Sequence, residues 1–104
     1  MTKAILKYLP VFYDELKEAF IYIRDVLKNE KAAYDLVEAI KNAILQRSEC
    51  PDSFEQYKSL KERKHPYYRI YVKNYQVYYV VIPGDPPIME VRRLKYSKSD
   101  ARKI

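Results

Sequence analysis

Several residue types on which small functional sites depend are scarce in this chain. Its 104 residues include one Cys, one His and one Gly, and no Trp. A lone cysteine excludes an internal disulfide, and one Cys with one His cannot supply a zinc site of the usual composition. The only glycine, Gly84, cannot by itself form a Gly-rich loop that cradles phosphate. We therefore expect the protein to work with no metal and no cofactor.

Long apolar runs are missing as well. No stretch approaches the roughly 18 residues that a membrane-spanning helix needs. The N-terminus has too short an apolar segment for a signal peptide, and acidic residues follow it at once. We expect one domain over residues 1–104, located in the cytoplasm and without membrane contact.

Positive charge is in excess. The chain has 20 Lys and Arg residues against 14 Asp and Glu, which gives a formal net charge of +6. Such a balance favours an anionic partner, either nucleic acid or an acidic protein. A globular domain with surplus lysine would have the same composition, so charge alone does not choose between these readings.

The first half of the chain has the periodicity of two amphipathic helices. Residues 3–9 predict a short strand, and Pro10 is well placed in the first turn of a helix. Apolar residues then recur at spacings of three and four, with Asn29 as a cap between the two helices. The first stripe comprises Phe12, Leu16, Ala19, Phe20, Ile23, Val26 and Leu27, and the second Ala33, Leu36, Val37, Ile40 and Ile44. The short connection predicts antiparallel packing of the two helices.

The second half predicts three strands. They cover residues 67–73, 75–82 and 88–96, with a tight turn at Lys73-Asn74. The charged segment 55–65 reads as a loop with at most one helical turn, and residues 97–104 as a basic tail. The order is β-αα-βββ. We predict an α+β fold in which two antiparallel helices pack on one face of a twisted antiparallel sheet.

Tyrosine is concentrated in the predicted hairpin, at positions 67, 68, 71, 75, 78 and 79. Alternation puts Tyr67, Arg69, Tyr71 and Lys73 on one face of their strand. Since the helices cover only one face of the sheet, the other would be an electropositive aromatic surface able to bind phosphates and stack bases. The simpler alternative is that tyrosine suits half-buried strand positions, and it is the better explanation for any single tyrosine.

Four segments together resemble the RelE/ParE superfamily of bacterial type II toxins. "YLPVFYDELKEAFIYI" is similar to the family's opening strand and first helix, and "LKNEKAAYDLVEAIKNAI" to its helical hairpin. "YYRIYVKNYQVYYVV" resembles the central β-hairpin, and "IMEVRRLKYSKSD" the last strand. The resemblance implies the fold reached above and a toxin whose partner is a small acidic antitoxin. One branch of the family cleaves mRNA on the ribosome, and another poisons DNA gyrase.

The resemblance also implies candidate site residues. Metal-independent RNA cleavage needs a base, an acid, and cations that stabilise the developing phosphorane charge. Matched strand by strand, the family pattern implies Arg69, Arg93 and Tyr96 as catalytic residues. The implied phosphate-binding residues are Arg63, Lys73, Arg92, Lys95 and Lys98. Ribosome-dependent mRNA cleavage is the leading expectation, narrowly ahead of gyrase inhibition, with a non-catalytic basic binding module as a third possibility.

Two departures weigh against cleavage. The second hairpin strand has Gln76 where RNases of this family commonly have an arginine, so Arg63, Arg92 or Lys73 would have to substitute. Arg93 and Tyr96 are three positions apart, which puts them on opposite sides of a regular strand. They converge only if the strand ends or bulges between them.

Overall fold

The element order follows the prediction except for one added short strand. The computed structural model describes residues 3–57 and 64–98. Its elements are β1 (Ile5–Tyr8), α1 (Pro10–Ile21), a π-helical turn (Tyr22–Val26), α2 (Glu30–Arg47), β2 (Gln56–Tyr57), β3 (Tyr67–Val72), β4 (Tyr75–Ile82) and β5 (Ile88–Tyr96). Proline occupies the first turn of α1. Asn29 caps α2, where its Oδ1 accepts a hydrogen bond from the Ala32 amide at 3.0 Å.

The sheet has the strand order β1-β5-β4-β3-β2. The α+β class is confirmed, but the sheet is mixed rather than wholly antiparallel, because β1 runs parallel to β5. The helical hairpin and three further strands separate these two strands along the chain, so no tight turn forces them to be antiparallel. The β2–β3, β3–β4 and β4–β5 pairs are antiparallel.

The charged segment 55–65 contains a strand that the sequence did not predict. Gln56 and Tyr57 pair with Tyr68 and Tyr67 at the edge of the sheet. A two-residue strand has no measurable periodicity, so its formation depends on the neighbouring strand. Residues 58–63, including Arg63, lie outside the described residues, as do residues 99–104 of the basic tail.

The main core lies between the helices and one face of the sheet. Its buried residues include Phe12, Leu36, Ile40 and Ile44 from the helices, with Val77, Tyr79, Met89 and Val91 from the strands. Ile23 is half-buried against this core. The predicted stripes are thus confirmed over most of both helices.

Val26 and Leu27 are the exceptions. Both belong to the predicted first stripe, yet 62% of Val26 and 55% of Leu27 is exposed. The π-helical turn is the cause: the Leu27 amide donates to the carbonyl of Tyr22, five residues earlier, at 3.1 Å. The wider turn rotates the following residues away from the sheet. Within the described residues, no helix has the length and apolarity needed to cross a membrane.

Candidate functional site

The face of the sheet opposite the helices is less open than the sequence suggested. Tyr67, Tyr78 and Val80 are buried there, and the rings of Tyr67 and Tyr78 meet edge to face with centroids 5.8 Å apart. Buried rings cannot stack on bases, so that expectation is wrong for Tyr67 and Tyr78, and the simpler explanation holds for both. Tyr71 does remain exposed on this face.

Two of the predicted catalytic residues share a row on this face. In the strand register, Arg69 pairs with Tyr78 and Tyr78 pairs with Arg93. Two strand spacings put the backbones of Arg69 and Arg93 roughly 10 Å apart. The Arg69 guanidinium lies over the ring of Tyr71, 4.9 Å from its centroid. The buried Tyr78 side chain therefore stands between the two arginines.

Arg93 is held by a carboxylate from the first helix. Its Nε and Nη2 donate to the two oxygens of Glu15, both at 3.0 Å. The Leu94 amide donates to Glu15 Oε1 at 3.0 Å, and Lys95 Nζ lies 2.8 Å from Oε2. We call the Arg93 side chain, the Leu94 amide and the Lys95 side chain the donor cradle.

The position of Glu15 follows from the end of β1. The strand ends at Tyr8, and the last bond to β5 runs from the Leu9 amide to the Val91 carbonyl at 2.9 Å. Beyond that point, α1 lies along the edge of β5. Its Glu15 accepts a hydrogen bond from the Leu94 amide, which has no partner in β1. Burial alone would raise the pKa of Glu15, but hydrogen bonds from Arg93, Lys95 and the Leu94 amide lower it below its usual value.

Arg92 is also paired. Its Nε donates to Glu90 at 2.7 Å on the same strand. The register places Tyr78 opposite Arg93 and Tyr79 opposite Val91, so Arg92 is the extra residue of a β-bulge. All three predicted cations of β5 are therefore paired with carboxylates of this chain.

Gln76 is the position at which the family resemblance implies an arginine in the RNases. It is buried, and its Oε1 accepts a hydrogen bond from the Tyr78 hydroxyl at 2.5 Å. Its strand neighbours are Tyr71 and Lys95. The position thus holds a neutral side chain that is already engaged.

Tyr96 lies on the other face of the sheet. It pairs with Tyr75, and the two rings meet edge to face at 5.4 Å. The alternation from Arg93 to Tyr96 is regular, because the bulge lies before Arg93 and not after it. The structure therefore brings Arg69 and Arg93 into one row and separates Tyr96 from both. Lys73 in the β3–β4 turn and Lys98 beyond β5 are exposed.

A groove runs between the tip of the helical hairpin and the ends of β4 and β5. Its central part has a volume of about 530 Å³ and is lined by Tyr22, Ile23, Leu27, Asn74, Tyr75 and Tyr96. At one end it continues past Ala19 and Leu94 to Glu15 and Lys95. Sequence reasoning missed both the groove and Glu15. The π-helical turn that opens the groove has no simple signature, and Glu15 reads as one more charge on a helix.

Comparison with known proteins gives a structural likeness. No protein-family model and no curated sequence matches the chain. A solved chain of the chromosomal ParDE toxin–antitoxin system from P. aeruginosa superposes with a TM-score of 0.71 at 11% identity. The match covers 92% of this chain and 98% of that one. The chain has a RelE/ParE-like fold. At this identity the likeness concerns the fold, and it confirms the architecture that the four sequence segments implied.

Proposed function

We propose that this chain is the toxin of a type II toxin–antitoxin module, neutralised by a small acidic antitoxin. The RelE/ParE-like fold carries this proposal, since it extends over 92% of the chain and is shared with a protein of a ParDE system. The formal charge of +6 supports an acidic partner. We expect a segment of the antitoxin to fold on binding, across the helices and the basic side of the molecule.

Of the two targets, the geometry favours DNA gyrase over mRNA. Cleavage needs an acid, a base and free cations around one phosphate. Here Arg93 and Lys95 are paired with Glu15, and Tyr96 faces away from both arginines of the row. A neutral, buried Gln76 replaces the usual arginine. These features support a toxin that acts by binding a protein target, which reverses the order of preference drawn from the sequence.

Expression of the chain in a bacterial host tests both levels of the proposal. We expect growth arrest with induction of the DNA-damage response and intact transcripts, and inhibition of supercoiling by purified gyrase. Co-expression of the neighbouring reading frame should relieve the arrest, and its product should copurify with the chain. Rapid loss of translation with transcripts cut inside codons would instead establish mRNA cleavage. A harmless chain that binds no neighbouring product would indicate a basic binding module.

A further inference from the structure

The donor cradle has the composition of an anion-binding site. Its three parts are a guanidinium, a backbone amide and an ammonium group, and they come from consecutive residues of β5. Glu15, the anion that they hold, comes from a different element. Because the occupant and the donors belong to different elements, a substitution in α1 can remove the occupant and leave every donor residue of β5 unchanged.

The chemistry of the cradle selects a carboxylate. Arg93 presents Nε and Nη2 to the two oxygens of one planar group, the fork geometry in which guanidinium binds carboxylate most strongly. The Leu94 amide lies on the part of the β5 edge that β1 leaves unpaired and that α1 runs beside, so it donates to the carboxylate and not to a strand. The observed occupant is itself a carboxylate bound by four donor contacts.

Two of the three parts of the cradle, at Leu94 and Lys95, border the groove. Glu15 and Lys95 line the end of the groove beside Ala19, Tyr22 and Leu94. The side chains of Arg93 and Lys95 are each 29% exposed, so both cations can be reached from outside without unfolding the sheet. A segment lying along the apolar groove wall would therefore bring one of its side chains to the Lys95 end of the cradle, from which the exposed part of Arg93 can be reached.

We propose that the donor cradle is a binding site for an Asp or Glu side chain of a partner segment seated in the groove, and that Glu15 is an internal occupant that the partner replaces. The chemical class of the ligand is a carboxylate on an apolar peptide. The identification of this partner as the antitoxin rests on the function proposed above. The carboxylate site itself does not.

An internal occupant lowers the apparent affinity of any competitor. For a ligand that binds only the open cradle, the apparent affinity is the intrinsic affinity multiplied by the fraction of molecules in which Glu15 has left the cradle. If that fraction is about one in ten, removal of the Glu15 carboxylate raises the apparent affinity about tenfold. A purely structural ion pair predicts the opposite, since its loss would disorder the edge of β5.

Titration of the full chain with sodium acetate tests the site directly. Nitrogen-15 NMR follows the signals of the Leu94 amide and the Arg93 Nε during the titration. The variants are Glu15→Gln and Glu15→Ala, with Asp14→Ala as a control that removes one exposed charge from the same helix. We expect acetate to shift both signals at concentrations about tenfold lower in the Glu15 variants than in the unmodified chain and in Asp14→Ala. Equal responses in all four proteins would overturn the proposal.

Two further arms fix the ligand class. Phosphate that binds the Glu15 variants more tightly than acetate would replace the carboxylate by a phosphodiester and reject the proposal as stated. If chloride at equal ionic strength reproduces the shifts, they result from charge screening and not from binding of a carboxylate, which contradicts the proposal. If neither Glu15 variant folds, Glu15 is a structural residue and the proposal fails.

A binding measurement with the antitoxin separates this inference from the proposed function. Glu15→Gln should bind the antitoxin at least as tightly as the unmodified chain, despite its lower stability. If acetate binds as expected but no antitoxin binds, the carboxylate site is supported and the toxin assignment is wrong. If the unmodified chain binds the antitoxin tightly and Glu15→Gln binds it more weakly, the toxin assignment stands. The proposal that the partner replaces Glu15 is then wrong.

Discussion

Glu15 in the first helix and Arg93 in the last strand form a bidentate ion pair across 78 residues of chain, with both N–O distances at 3.0 Å. The pair joins α1 to β5 at the place where β1 has ended and the edge of the sheet would otherwise be bare. It also engages the arginine that family resemblance assigned to catalysis. One contact thus bears on both the stability and the function of the protein.

The coupling between the two residues can be measured. Arg93→Ala should lower the free energy of unfolding by about 1.5–3 kcal/mol, because hydrogen bonds between charged groups that are partly buried are lost. Glu15→Gln should cost a similar amount, and the double variant should cost less than the sum of the two. Urea denaturation gives all three values. Strict additivity would show that the ion pair does not stabilise the fold.

The same variant separates the two mechanisms. If the chain acts as the proposed gyrase-binding toxin, through other surfaces, Arg93→Ala and Tyr96→Phe should both still arrest growth when expressed to equal levels. Loss of arrest in both, with folding retained, would indicate that these residues act in RNA cleavage after all. Circular dichroism of the purified variants provides the folding control.

Stability should depend on pH through Glu15. Its folded pKa is lowered by the donors around it, whereas the unfolded value for Glu is about 4.3. The stabilisation is therefore complete above that unfolded value and is lost as pH falls through the lower folded pKa. The stability difference between the unmodified chain and Glu15→Gln should be constant near neutral pH and should shrink below about pH 5. Asp35→Asn, in an exposed pair with Lys31, should show a much smaller difference throughout.

Core packing gives a prediction with an internal control. Ile40 is 1% exposed between the helices and the sheet, so Ile40→Ala should cost about 2–5 kcal/mol of unfolding free energy. Val26 belongs to the first predicted stripe but is exposed at the end of the π-helical turn, and Val26→Ala should change stability by less than about 0.5 kcal/mol. Thermal denaturation of the two variants checks this. Similar costs for both would mean that Val26 packs against the core despite the π-helical turn.

Gln76→Arg introduces the cation that the family resemblance implies for the RNases, and here the structure alters the expectation from sequence. On sequence grounds the change would supply a missing catalytic charge. In the fold it forces a guanidinium into a buried position beside Lys95 and removes the acceptor of the Tyr78 hydroxyl. We expect the free energy of unfolding to fall by about 1–3 kcal/mol, which denaturation measures. We expect no gain in RNA cleavage, which incubation with ribosomes and mRNA measures. New cleavage products would contradict this expectation.

Local sequence signals predicted the elements that depend on neighbouring residues. The position of Pro10, the cap at Asn29, the stripe through Ile40 and the turn at Lys73-Asn74 are all present in the fold. Each depends on contacts within about four residues, which the order of amino acids specifies directly. The resemblance to RelE/ParE toxins added the overall architecture, and the structural comparison confirms it.

Long-range pairing decided the rest. The parallel partner of β1, the bulge at Arg92 and the capture of Arg93 by Glu15 all join residues that lie far apart along the chain. The sequence shows where a strand is, but the register with its neighbours determines which charges meet a partner and which face each side chain occupies. The sequence alone therefore determined a basic α+β domain with candidate cations in its last strand. Only the tertiary structure decided that Arg93 and Lys95 are paired, because a carboxylate from the first helix lies at the strand edge that β1 leaves open.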